Sequence, residues 1–228
     1  MFSVLFEVHP ASEHQDTYLG LAKMLRPELE QVDGFVDNLR YRSLTRPGWL
    51  LSLSSWRDEK ALVRWRTAAN HHGVQEKGRG GVLLDYRLRV GQLTRDTRLP
   101  AGHALHEQRL DETQLGAGTA VVLVDMRLSP AEIAATPAAD IAARLGLAPD
   151  AGGLVAWDVF DAVLAPGDAI LMATLRDAPA ALAFEHAMAR DDGRRLRVVR
   201  VVRDYGKYDR REAPQFYPDA AGAPTIRA

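Results

Sequence analysis

Two stretches of this chain, Gly34 to Trp65 and Gly153 to Phe184, align without a gap, and the positions they share are those that fix turns and core volume. Gly34 falls on Gly153, Val36 on Val155, Tyr41 on Phe160, Pro47-Gly48 on Pro166-Gly167, Arg57-Asp58 on Arg176-Asp177, Ala61 on Ala180 and Trp65 on Phe184. Such a chain holds two diverged copies of one unit. Two copies are too few for a solenoid, which needs about three stacked repeats, so a paired arrangement is expected. The 228 residues leave room for two units of about 100 residues. We place them at 1–95 and 119–205, with a Pro- and Gly-punctuated linker over 96–118 and an extended tail over 206–228.

Within the first copy, Phe2, Val4, Phe6 and Val8 alternate with Ser3, Leu5, Glu7 and His9, the period of a strand with one buried face. Tyr18, Leu19, Ala22 and Leu25 recur at helical spacing, with Pro27 expected to kink or restart the helix and Asp33-Gly34 to close it. Phe35 to Ser43 and Trp49 to Trp56 read as a hairpin about Thr45-Arg46-Pro47-Gly48. A second helix is expected from Asp58 to about Gln75, and a fourth strand from Val82 to Val90. The second copy repeats the order, with a helix-start signature at Ser129-Pro130-Ala131-Glu132, a restart at Thr136-Pro137 and a second helix from Ala178 to Ala189.

The order βαββαβ, given twice, predicts an α+β chain of two tandem ferredoxin-like units, each a four-stranded antiparallel sheet with both helices on one face. The bare face of each sheet would be covered by the other copy. Pairing can occur within one chain or, in a homodimer, between chains. Glu7, Asp85, Arg87 and Arg89 fall on that covered face and predict an ion-pair network between the halves. Apolar residues make up 46% of the chain, charged ones 26%, and the net charge is -1. That balance gives no pull towards nucleic acid or anionic membrane. Cysteine is absent, which removes disulfides and thiolate sites. No long apolar run suggests a membrane span, and a cytoplasmic location is the expectation.

The first copy, over roughly residues 1 to 95, resembles the antibiotic biosynthesis monooxygenase family of the dimeric α/β barrel superfamily. The resemblance runs through Gly34-Phe35, the hairpin, Ser55-Trp56-Arg57-Asp58-Glu59-Lys60-Ala61-Leu62, Trp65-Arg66 with His71-His72, and Asp85-Tyr86-Arg87-Leu88-Arg89-Val90. It implies a small-molecule pocket between sheet and helices. Some relatives oxidise aromatic polyketides with dioxygen and no metal or flavin, whereas others bind and degrade haem. The haem-degrading members use an Asn on the first strand, a Trp on the second helix and a His ten residues beyond. Trp65 fits that pattern, but Val8 and Gln75 stand at the Asn and His positions, so no haem and no other cofactor is expected.

On one continuous helix His72 lies seven positions after Trp65, within roughly 20° of the same face, while His71 points away into solvent. Trp65 and His72 are therefore the candidate catalytic pair. A neutral imidazole at His72 would accept the proton that must leave an aromatic substrate before an electron-rich carbon can meet dioxygen. Asn38, Tyr41, Trp56 and Arg66 are the candidates for holding the substrate. Adjacent histidines diverge on a helix, His9 and His14 lie on another element, and His103 and His106 fall in the linker, so no metal site is expected. Gly78-Arg79-Gly80-Gly81 lacks the strand-to-helix setting of a phosphate loop. The expected activity is a cofactor-independent monooxygenation of a hydrophobic, aromatic or polyketide-like small molecule, with the second copy as a structural partner. The alternatives are a non-catalytic small-molecule-binding or stress-related protein and, less favoured, a haem protein.

Overall fold

The repeated glycines mark a repeated geometry. The computed structural model describes residues 1–150, 152–188 and 193–214. The first copy comprises β1 (Phe2–Pro10), α1 (Gln15–Glu30), β2 (Phe35–Ser43), β3 (Leu50–Trp56), α2 (Glu59–Thr67), α3 (Ala69–Lys77) and β4 (Leu83–Asp96). The second comprises β5 (Ala120–Arg127), α4 (Pro130–Ala135), α5 (Ala138–Arg144), β6 (Leu154–Ala162), β7 (Asp168–Leu175), α6 (Ala178–Ala187) and β8 (Arg195–Gly206). Gly34 and Gly153 have φ of 87° and 95°, a region that favours glycine. Their carbonyls accept from Arg57 N and Arg176 N, both at 2.8 Å. Asp58 and Asp177 then cap α2 and α6 by accepting from Ala61 N and Ala180 N, again both at 2.8 Å.

Local chemistry accounts for the helix ends. Ser129 and Glu132 form a reciprocal capping box at the start of α4, with bonds of 3.1 and 2.7 Å. Pro137 separates α4 from α5, whereas Pro27 is absorbed into the last turn of α1. The expected single helix after Asp58 is two helices. Ala68, at φ -60° and ψ 132°, is extended and resets the helical phase between α2 and α3. The second helix of the other copy runs to Ala187, and the predicted end at Ala189 lies outside the described residues.

All eight strands close into one antiparallel barrel in the order β1-β3-β2-β6-β7-β5-β8-β4, with β4 returning to β1. The copies join within the chain at two seams. At one, β4 pairs with β8 over nine residue pairs from Arg87–Gly206 to Asp96–Arg197. At the other, β2 meets β6 at Tyr41–Ala162, Arg42–Asp161 and Ser43–Phe160. The barrel interior packs Leu5, Leu51, Leu53, Val121, Leu123, Phe160 and Val201. It also holds the expected ionic network. Arg89, 1% exposed, donates to Glu7 at 2.8 Å and to Thr174 Oγ1 at 2.8 Å. Arg46 bridges Glu7 at 2.7 Å and Asp158 at 2.6 Å, and Arg87 pairs with Asp204. Asp85 forms no ion pair within contact distance across the seam among the described residues; it accepts from the Tyr86 amide at 2.7 Å and acts on Lys207 only through its field.

Helices cover the outer face of each sheet, but the two covers differ. Beneath α4, α5 and α6 one continuous core includes Val124, Ile133, Ile141, Val159, Leu171, Leu175 and the fully buried Phe184. Beneath α1, α2 and α3 the apolar side chains divide into two clusters, one around Trp56 and Leu62, the other around Leu50 and Tyr86. A cavity separates them. No helix among the described residues is long and apolar enough to cross a membrane. Residues 207–214, expected to be extended, fold back on β4 in turns, with Lys207 N donating to Tyr86 O at 3.1 Å and Gly206 N to Asp209 O at 2.8 Å. The remainder of the tail, 215–228, lies outside the described residues.

Candidate active site

The strand registers explain why the cavity forms in the first copy. Alternation turns Asn38 and Arg40 of β2, Ser52, Ser54 and Trp56 of β3, Val4 and Phe6 of β1, and Tyr86, Leu88 and Val90 of β4 towards the helices. Carrying Gly34 onto Gly153 places Trp157, Val159, Leu171 and Ala173 at the positions of Asn38, Arg40, Ser52 and Ser54. Larger or more apolar side chains thus fill in the second copy what polar ones leave open in the first. The result is a cavity of about 220 Å³ bounded by α1, α2, α3 and the sheet.

Four of the six candidate residues line it: Asn38, Trp56, Trp65 and Arg66. Asn38 is 5% exposed, and its Nδ2 donates to Ser52 Oγ at 3.0 Å and to Leu53 O at 3.2 Å. Its Oδ1 is buried and has no partner among the described residues. Trp56 forms the floor, with Nε1 donating to Ser54 Oγ at 2.9 Å and Phe35 meeting the ring edge-on at 5.5 Å.

The other two candidates lie elsewhere. Tyr41 is three residues from Asn38, and an odd step along a strand puts it on the opposite face, inside the barrel beside Leu51 and Phe160. His72 is on the outer side of α3, 3.4 Å from Glu76 across one helical turn. The extended Ala68 brings His71 inward instead. Its ring stacks on Trp65 at 4.4 Å and 15° between planes. Val8, central to the haem comparison, is buried against Leu50 and Tyr86, while Gln75 lines the cavity.

Burial pushes the His71 imidazole down to about 4, against the opposing pull of the Trp65 carbonyl. Nδ1 lies 2.9 Å from that carbonyl oxygen and 3.3 Å from Gln75 Nε2; the shorter contact is to an atom that can only accept, so Nδ1 carries the hydrogen and Nε2 keeps a lone pair. His71 is thereby a neutral acceptor beside an indole face. Because its folded pKa lies below the ordinary 6.5, the unfolded chain takes up this proton first. The associated stability is complete above about pH 6.5 and lost as pH falls towards about 4. Urea midpoints at about pH 7 and about pH 5 should therefore fall further for the native chain than for His71→Gln, and equal falls would show that His71 titrates normally.

Other parts of the wall have no signal in a linear reading. Arg79 comes from the turn Gly78–Val82, Tyr205 from β8 of the second copy across the β4–β8 seam, and Arg210 from the segment that follows β8. Only the same-face spacing from Asn38 to Arg40 and from Ser52 to Trp56, set against the apolar counterparts in the second copy, could have marked the strand residues. Among the described residues, no three His, Asp or Glu side chains are grouped to hold a metal ion.

A family model described as antibiotic biosynthesis monooxygenase matches residues 1–77. The chain is 50% identical over 226 residues to the jasmonate monooxygenase ABM of Pyricularia oryzae, an alignment covering 97% of this chain and all of that protein. Among solved structures, a protein from Lactobacillus acidophilus NCFM aligns over 89% of this chain and 94% of its own at 7% identity and a TM-score of 0.39. A conserved protein from Methanosarcina mazei Go1 aligns over 39% of this chain and 88% of its own at 19% identity and a TM-score of 0.37. Half the residues retained over almost the whole chain is a relationship of sequence, and on it this chain belongs to the antibiotic biosynthesis monooxygenase family.

Proposed function

We propose that the protein is a monooxygenase that oxidises a small, largely apolar carboxylic acid of the jasmonate kind in the cavity of its first copy. The observation that carries this is the stacked pair of Trp65 and neutral His71 in a wall otherwise made mainly of aliphatic and aromatic side chains. The name of the Pyricularia oryzae relative supports the substrate class. An acid with an apolar body replaces the aromatic polyketide as the favoured substrate.

The proposed chemistry runs without a resident cofactor. A carbon next to a carbonyl exchanges a hydrogen for an enol O–H, and the enol carbon is electron-rich. His71 Nε2 accepts the enol hydrogen bond, and Asn38 Oδ1 is a second acceptor in the same wall. With its pKa held near 4, the imidazole does not keep the proton, so its part is to hold the reactive tautomer. The reaction balances with a methylene group and dioxygen becoming a carbonyl group and water. The two C–H bonds break, one oxygen atom stays on carbon, the other leaves as water with both hydrogens, and the substrate supplies all four electrons. Hydroxylation of an unactivated C–H would instead need two electrons from an added reductant.

Oxygen uptake with jasmonate, with and without a reductant, and mass analysis of the product made under labelled dioxygen test the reading. One labelled oxygen atom in the product without reductant is expected. Trp65→Ala should lower kcat/KM by about 100-fold through loss of positioning. Labelled product only with reductant would overturn the cofactor-free step, and saturable binding with no oxygen uptake under either condition would favour a non-catalytic binder.

A further inference from the structure

The wall of the cavity is completed by the chain that follows β8. Tyr205 stands near the end of β8 and Arg210 in the segment beyond it, its guanidinium 5.2 Å from the Tyr205 ring, and both line the cavity. Residues 207–214 form a strap that carries Arg210 and is tied down at both ends. At the first end, Lys207 N donates to Tyr86 O at 3.1 Å, Lys207 Nζ to Leu83 O at 2.6 Å and the Tyr208 hydroxyl to Leu84 O at 3.2 Å. Leu83 and Tyr86 are themselves wall residues on β4.

At the second end the catch is a single carboxylate. Glu212 Oε2 accepts from Asp204 N of β8 and from the Thr113 hydroxyl, and its Oε1 accepts from Gln114 N, each at 2.7 Å. Three segments distant in sequence thus meet on one side chain. Hydrogen bonds to an ionised acceptor are about twice as strong as neutral ones, and the two backbone amides among these donors cannot turn away. Thr113 is 3% exposed and its own amide donates to Val201 O at 2.9 Å, so the strap is fastened to the sheet and not to a loose surface loop. The chain between the catch and the wall is itself a turn, with Ala213 N donating to Arg210 O at 2.9 Å. Where Glu212 is held therefore sets where Arg210 enters the wall. Glu212 itself does not line the cavity. We propose that Glu212 is a positioning residue for the substrate: its carboxylate holds the strap across the β4–β8 seam and so keeps the side of the cavity made by Tyr205 and Arg210 closed. This rests on the reading of the cavity as the site for an apolar acid. By reciprocity, a substrate packed on that side stabilises the fastened strap in turn.

Jasmonate is the probe, and its binding is read from quenching of tryptophan fluorescence, since Trp56 and Trp65 line the cavity. Glu212→Ala should raise Kd about tenfold, chiefly through faster dissociation, and in turnover the loss should fall on KM more than on kcat. Thr113→Val keeps the shape of the buried side chain, removes one donor to the catch and should raise Kd about threefold. Glu132→Ala is the control. It deletes a carboxylate that accepts from the Ser129 amide at 2.7 Å in the second copy, and although a helix cap is lost, Kd should change by less than about twofold. Trypsin reports on the strap directly, because cleavage after Lys207 requires its release. Saturating jasmonate should slow that cleavage in the native chain and leave it unslowed in Glu212→Ala. An unchanged Kd in Glu212→Ala, the same loss in Glu132→Ala, or cleavage of the native chain that jasmonate does not slow would each overturn the proposal. A native protein that binds jasmonate under a strap fastened by Glu212 but oxidises nothing would sustain the proposal and sink the monooxygenase reading. Oxidation of jasmonate with the same KM by the native chain and Glu212→Ala would do the reverse.

Discussion

Glu7→Ala should destabilise the protein by about 3–5 kcal/mol, the largest loss expected from any single side chain outside the apolar core. Arg89 is 1% exposed and has Glu7 as its carboxylate partner, its other bonds being to the Thr174 hydroxyl and the Met172 sulfur. Removing the carboxylate strands a guanidinium inside the barrel, where desolvation already holds Arg89 below its ordinary pKa despite Glu7. Desolvation works against ionised Glu7 too, yet Arg89 and Arg46 outweigh it and keep the carboxyl below its usual range. Denaturant unfolding of Glu7→Ala, Arg89→Met and the double variant would measure this. The double variant should recover much of the loss, because it buries neither charge alone. A loss below about 1 kcal/mol for Glu7→Ala would mean that water reaches Arg89.

Gly34→Ala and Gly153→Ala should each cost about 2–4 kcal/mol, and by similar amounts. A Cβ at Gly34 would stand 2.6 Å from Ala61 Cβ, and one at Gly153 would stand 2.5 Å from Ala180 Cβ. Both positions add a positive φ to that clash. Gly20→Ala in α1 is the control, since nothing lies within 4 Å of its added methyl, and it should stabilise by about 0.5–1 kcal/mol. Thermal unfolding of the three variants checks both points. Unequal costs at Gly34 and Gly153 would show that the two turns, alike in hydrogen bonding, are not alike in rigidity.

These glycines also show what a linear reading can reach. Gly34, Gly48, Gly153 and Gly167 all have positive φ, so the repeat is visible because backbone geometry restricts which residues can occupy those positions. The barrel follows from strand order and from the need to cover two sheets. The cavity is half legible. Asn38, Trp56, Trp65 and Arg66 share its wall, but a linear reading groups Tyr41 with Asn38 although three steps along a strand reverse the face. It favours His72 over His71 because nothing in Thr67-Ala68-Ala69 announces a break: alanine is a good helix former, yet Ala68 is extended. Tyr86, Arg79 and Arg210 meet only once β4 and β8 are paired, and no spacing along the chain encodes that meeting.

The two seams of the barrel are unequal, and the inequality gives the molecule a spine and a fore-edge. Nine residue pairs bind β4 to β8 and three bind β2 to β6, so thermal opening costs least at the fore-edge, like a book parting away from its binding. The Tyr86–Arg210 contact lies along the spine and keeps its shape through such breathing. Asn38 stands on β2, the strand at the three-pair seam.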